Sequence, residues 1–236
     1  MTQFEPDHPQ PLGQEKPPDT RHRELFALAP GVVKNVPVVL GIDWYTGFDR
    51  PTLRDGKWWI PEPGKWGSLR GGHAICGKPK NIPDNEDWWK FYDQGSEGAC
   101  VGFAWTRAKT LLERAKFKAR ELYYEAQRTD EWPGGEYPGA RPRYSGTSVR
   151  AGAEVLRSLG HITAKGSVWN PAFGIKAYRW TTDPAEVCRV LGWPVGPVPL
   201  LNSWGEFGYP HVVWMPFDTL GKLLADGGEA AVPTDR

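Results

Sequence analysis

The sequence predicts an α+β protein, with helices gathered in the middle of the chain and strands towards both ends. Three observations carry that prediction. An apolar stripe at three- and four-residue spacing runs over residues 99–119. Short runs rich in β-branched residues lie at 37–44 and from 198 onward. Glycine and proline, 28 and 23 of the 236 residues, break the backbone into frequent turns.

The elements follow in order. Residues 1–23 read as a flexible arm, polar and studded with prolines, and 24–236 as one domain of two lobes. The arm has no apolar run of signal-peptide type, so a cytoplasmic location is expected. The run PVVLGIDW (37–44) is a strand, residues 57–60 a shorter one, and GGHAICG (71–77) a strand bounded by glycines. In the first helix Val101, Ala104, Trp105, Ala108, Leu111, Leu112 and Ala115 share one face. A second helix spans 119–129, and a Gly/Pro loop follows over 132–144. Thr147 or Ser148 caps a third helix that stops at Gly160. Asp183 before Pro184 opens a fourth, running to Val190. Residues 198–201 and 211–215 return to strand, and 220–224 form a last helical turn.

Composition removes several function classes. The formal net charge is +1, without the basic excess of a nucleic-acid or membrane-surface protein. No uncharged stretch is long enough to cross a bilayer. Thirteen tryptophans fit a loop-rich core, each removing a large apolar area from water. The three cysteines, Cys76, Cys100 and Cys188, are an odd set without close pairs, against a disulfide framework or a metal knuckle. No metal or organic cofactor is expected.

Cys100 is the residue with most chemistry in it. In the first turn of a helix a cysteine meets unpaired N–H groups and the positive end of the macrodipole, both of which favour the thiolate. Gly95, Gly98 and Gly102 leave room around it, and Gln94 offers an amide donor for an oxyanion. A buried structural thiol is the plainer alternative.

The segment from Asp93 to Ala104, DQGSEGACVGFA, resembles the nucleophile segment of papain-like cysteine peptidases, of phage or actinobacterial type. In that family a glutamine six residues before the cysteine completes the oxyanion hole, a role the resemblance gives to Gln94. Glu97 stands where the family usually has a disulfide-forming cysteine. The run Asn202-Ser203-Trp204-Gly205 looks like the family's Asn-Ser-Trp-Gly motif. By that likeness Asn202 orients the imidazole and Trp204 covers it beside the substrate. Tyr144 to Ser148 resembles the segment that pairs with a bound peptide, which makes Gly146 and Thr147 substrate-binding. The fold implied is papain-like and two-lobed, a long central helix packed on an antiparallel sheet.

The histidine departs from the family's order, which places it between cysteine and asparagine. There this chain has only His161, in a helix-end context. The segment resembling the family's histidine strand is Gly71 to Ile75, upstream of the nucleophile, so His73 is the expected base and His211 the second choice. The block order is non-standard: His, Cys, Asn. The site is complete if the upstream block inserts beside the strand leading to Asn202. Triads tolerate any chain order, and loop-closure entropy grows slowly with length. The resulting expectation is a monomeric peptidase acting on peptide or protein substrates through a thiolate–imidazolium pair of Cys100 and His73. Two alternatives stand beside it: a cell-wall amidase or endopeptidase with a Cys–His site, and a papain-like module without catalysis.

Overall fold

The computed structural model describes residues 34–84, 89–90, 92–205 and 210–234. The arm expected over 1–23 lies outside them. Within them the protein is α+β, with five α-helices and one eight-stranded sheet.

The sheet is built around a hairpin-like pair, β1 (Val38–Tyr45) and β4 (Leu69–Gly77), antiparallel along their whole length. Between them in sequence, β2 (Thr52–Arg54) and β3 (Lys57–Trp59) form a small hairpin. Its turn, Asp55-Gly56, has positive φ at both residues (49° and 72°), as a two-residue hairpin of this twist requires. Later strands complete the sheet: β5 (Ala177–Thr181), β6 (Val198–Leu201), β7 (Val212–Met215) and β8 (Glu229–Thr234). The spatial order is β2-β3-β7-β6-β4-β1-β8-β5. An all-antiparallel sheet was expected; β3 and β7 instead run parallel where Trp59 meets Trp214, so the sheet is mixed.

Alternation along the strands sends side chains to two cores. Val38, Leu40, Ile42 and Ile75 pack with α4 (Pro184–Leu191) and α5 (Phe217–Ala225). Val39, Ala74 and Cys76 pack on the opposite face with α1 (Cys100–Glu113), α2 (Ala119–Thr129) and α3 (Val149–Ser158). Helix caps agree with the sequence. Ser148 Oγ accepts from Ala151 N–H at 3.0 Å and Asp183 Oδ1 from Ala185 N–H at 2.9 Å, while Gly192 closes α4 in the left-handed region.

The first helix differs from expectation. It stops at Glu113, because Arg114 turns left-handed (φ 52°) and the chain crosses to pair Phe117 with Thr163 before α2 begins. It is also buried on every side from Val101 to Leu111, so its polar side chains find partners inside. Tyr92 bonds Thr110 at 2.6 Å, and Lys109 Nζ reaches Glu113 at 2.8 Å and the Gly174 carbonyl at 2.7 Å.

Candidate active site

The site forms at the point where β6 ends. β6 pairs with β4 at Leu200↔Gly77 and Leu201↔Cys76, then the chain leaves the sheet. Lys78 N–H donates to the Pro199 carbonyl, so the even-numbered residues of β4 turn their backbone groups towards β6. At Ala74 there is no longer a β6 strand to meet. Its N–H faces the Cys100 thiol instead, and the Val101 and Cys100 N–H groups of the first helical turn face the same sulfur. The expected insertion of the upstream strand beside the strand of Asn202 is therefore what the sheet contains.

His73 precedes Ala74 and points to the other face of β4. Its ring lies 4.7 Å from Trp44 and 5.3 Å from Trp204, centroid to centroid. Asn202, just past the end of β6, is in side-chain contact with this imidazole and favours its protonated form. Asn202 Oδ1 accepts from Ser203 N–H at 2.7 Å, and both Asn202 Nδ2 and His73 Nε2 are left buried without a partner. Half a turn of the amide would give the imidazole N–H an acceptor, at the loss of the Ser203 N–H bond to Oδ1. His211 lies one strand further out, its carbonyl accepting from Asn202 N–H at 3.2 Å. With β6 between it and β4, it is the more distant of the two candidate bases.

The remaining expected residues converge from the nucleophile side. Asp93 bridges Trp204 and Gln94 N–H donates to the Ser203 carbonyl at 2.7 Å, so the two quoted motifs lie side by side. Gln94 Nε2 donates to the Glu97 carbonyl at 3.1 Å, which leaves its second N–H for another acceptor. A Cβ on Gly98 would stand 1.9 Å from Ser145 Oγ and 2.9 Å from Gly146 N, so the loop before Cys100 touches the 145–147 segment directly.

Gly146 needs correction. Its N–H donates to Tyr123 Oη at 3.0 Å and its carbonyl accepts from Gln127 Nε2 at 2.9 Å. The N–H meant for a bound peptide is thus spent on α2. Thr147 donates its hydroxyl to Asp130 at 2.6 Å, and the helix cap falls to Ser148.

Set against protein-family models, curated proteins and solved structures, the chain matches none.

Electrostatics correct the expected ion pair. Burial pushes the Cys100 thiol above its ordinary value, against the lowering effect of the Ala74, Val101 and Cys100 N–H groups. Burial likewise draws His73 down to about 4, outweighing Asn202. The helix N-terminus that was expected to hold a thiolate is overcome by desolvation, and the resting pair is neutral. His161 is a different matter from the helix-end histidine expected. It is fully buried and stacks on Phe117 at 4.8 Å, with Nδ1 accepting from Ile162 N–H. Its other nitrogen meets Thr106, six residues or about 9 Å of helix beyond Cys100.

Sequence reasoning missed Arg107. This side chain is fully buried, donating to Trp89 O at 2.6 Å, Asn202 O at 3.0 Å and Ser203 Oγ at 3.3 Å. It ties the Asn202 turn to the helix that carries Cys100. The only hint in the sequence is an arginine inside a helix with no acidic residue four places away on either side. Cys76, Cys100 and Cys188 are free thiols. Among the described residues no cluster of His, Cys, Asp or Glu is placed to hold a metal, and no helix is long and apolar enough to cross a membrane.

Proposed function

We propose that the chain is a papain-like thiol peptidase in which Cys100 attacks a peptide carbonyl and His73 is the base. The observation that carries the reading is the Cys100 thiol against the Ala74 N–H, one residue from an imidazole that Asn202 contacts. Nucleophile, base and orienter thereby come from three distant segments to one edge of β4.

The chemistry starts from the neutral pair. As sulfur attacks, its proton passes to His73, the S–C bond forms and the carbonyl oxygen takes the negative charge. The Cys100 N–H and the second N–H of Gln94 are the donors for that oxyanion. Collapse breaks the C–N bond, and His73 delivers its proton to the departing nitrogen. Water, deprotonated by the same imidazole, then hydrolyses the thioester and frees the thiol. Asn202 holds the ring through these transfers, and Trp204 excludes water from it. With no charge separation in the resting pair, a half-buried thiol and a buried imidazole coexist at small electrostatic cost.

The test is hydrolysis of casein and of a mixed fluorogenic peptide library, with purified cell walls as a separate substrate. Cys100→Ala and His73→Ala should each abolish cleavage, Asn202→Ala should lower it by roughly 10- to 1,000-fold, and His211→Ala should retain it. Because His73 must be unprotonated, activity should persist in acid and fall only as pH drops through about 4. Cleavage that survives Cys100→Ala, or that depends on His211 and not His73, overturns the assignment. Cleavage of cell walls alone would move the substrate to the stem peptide.

A further inference from the structure

Beside His73 lies an open groove of about 170 Å³, lined by Trp44, Arg70, Gly71, Gly72, His73 and Trp204. Its construction is specific. Trp44 pairs with Gly71, but the next residue, Tyr45, pairs with Leu69, so Arg70 is the extra residue of a β-bulge. Regular alternation would put Arg70 on the face opposite His73. The bulge re-aims it, and guanidinium and imidazole line the same groove. Asp49 fixes two walls at once: one carboxylate oxygen accepts from Trp44 Nε1 at 2.9 Å, and the other holds the Arg70 guanidinium. Trp44 and Trp204 meet edge to face at 5.4 Å. Gly71 and Gly72 line the groove without side chains, so part of its wall is bare backbone.

We propose that this groove receives the first residue of the departing fragment and that Arg70 selects a carboxylate on it. The inference rests on the peptidase reading for its direction. His73 delivers a proton to the leaving nitrogen, so the residue bearing that nitrogen lies against the imidazole. The groove is the space that continues past the ring, on the face away from α1. An arginine has five N–H donors and Asp49 engages one of its terminal nitrogens, which leaves donors for a second carboxylate in a pre-positioned fork. Two indoles give the stem of a Glu or Asp side chain an apolar wall. Arg70 is one third exposed and partly neutralised by Asp49, so the selectivity is set at about tenfold and not at the larger values of sealed sites. The carboxylate comes from an acidic side chain in an internal peptide or from the free end of a chain one residue beyond the cut.

The experiment has a kinetic and a binding half. Capped fluorogenic peptides differ only in the residue after the scissile bond, Glu, Gln or Lys, and a second pair ends one residue after the bond as free acid or amide. Wild type should cleave the Glu peptide about tenfold faster in kcat/KM than the Gln peptide, with Lys slowest. Arg70→Gln should level the series, Arg70→Lys should keep a reduced preference for Glu, and Arg70→Glu should favour Lys. Preference confined to the free-acid pair assigns the groove to chain ends. In the binding half, Cys100→Ala protein is titrated with glutamyl-alanine amide and glutaminyl-alanine amide and read by tryptophan fluorescence. The acidic fragment should bind about tenfold tighter, and Arg70→Gln should remove the difference. Cleavage with neither a Glu/Gln nor an acid/amide ratio, or a ratio unchanged by Arg70→Gln, overturns the groove assignment while leaving the peptidase reading intact. Arg70-dependent binding of the acidic fragment without cleavage of any peptide does the reverse. Equal or undetectable binding of both fragments, with no acid/amide ratio in cleavage, overturns the groove assignment as well.

Discussion

Replacing His161 by phenylalanine should make the protein less stable at neutral pH and more stable in acid, with the two stability curves crossing. Nδ1 of His161 accepts from Ile162 N–H at 2.9 Å, so the proton sits on Nε2 and points to Thr106 Oγ1 at 2.8 Å. A second proton would fall on the nitrogen that faces a donor, in a fully buried ring near Lys109. Burial first, and Lys109 second, lower its pKa from 6.5 to about 3. The unfolded chain therefore takes up a proton as pH falls below about 6.5, while the folded chain refuses it until about 3. Stability contributed by the neutral ring is complete above 6.5 and is lost across that window. At about 1.4 kcal/mol per unit the loss amounts to about 5 kcal/mol by pH 3. Phenylalanine keeps the stack on Phe117 but orphans the Ile162 N–H, which costs about 2 kcal/mol at every pH; the Thr106 hydroxyl can turn to its own helix. The wild type has lost the same 2 kcal/mol near pH 5, so the crossing should lie there. Urea unfolding of both proteins between pH 3.5 and 7.5 measures it. Parallel curves, with no change in their separation, would refute the buried neutral imidazole.

Further outcomes follow from the same contacts. Alkylation of Cys100 in the free protein should reach its midpoint above the ordinary thiol value of about 8.5, since burial dominates; a midpoint below about 7, read by peptide mass spectrometry, would mean a resting ion pair. Arg107→Leu should lower Tm by several degrees, because two buried carbonyls and a hydroxyl lose their donor at about 1–3 kcal/mol per orphaned group, offset in part by removing a buried cation. A new Cβ in Gly102→Ala would lie 2.6 Å from Tyr123 Cβ and 2.7 Å from the Ala119 carbonyl. The helices α1 and α2 must then part, for about 2 kcal/mol and a drop of roughly 4–8 °C on a thermal melt.

Local chemistry was the legible part of this chain. Capping by Ser148 and Asp183, the stop at Gly160 and the strands β1 and β4 all stand in the sequence, and the structure has each of them. So does the pairing of β4 with β6, expected from the displaced histidine block. Strands β5 and β8 were not legible. Glu229–Thr234 is EAAVPT, small residues and a proline, and it becomes a strand because β1 and β5 supply partners on both sides. The Asp55-Gly56 turn signal was present and went unused. In the site, residue types were legible and their states were not. Whether Cys100 and His73 carry charge depends on how much water surrounds them, a property of the packed molecule. Gly146 was misread for a similar reason, since the distant side chains of Tyr123 and Gln127 engage its backbone groups. Arg70 needed the bulge, a one-residue slip between strands that no periodicity announces.

The strand order has a consequence for how the molecule comes into being. β1 and β4 are made early, but their outer neighbours, β8 and β6, come from residues 229–234 and 198–201. Throughout synthesis of the intervening helices, a nascent chain carries its central pair of strands with both edges bare. Such edges invite pairing with other chains, so growth from the completion of β4 up to about residue 200 is the stage at which a chaperone would matter most. Under the proposed peptidase reading, the same delay keeps the thiol idle. Cys100 emerges long before Asn202, and a ribosome-bound fragment holding the thiol and the imidazole lacks the segment that brings them into one site.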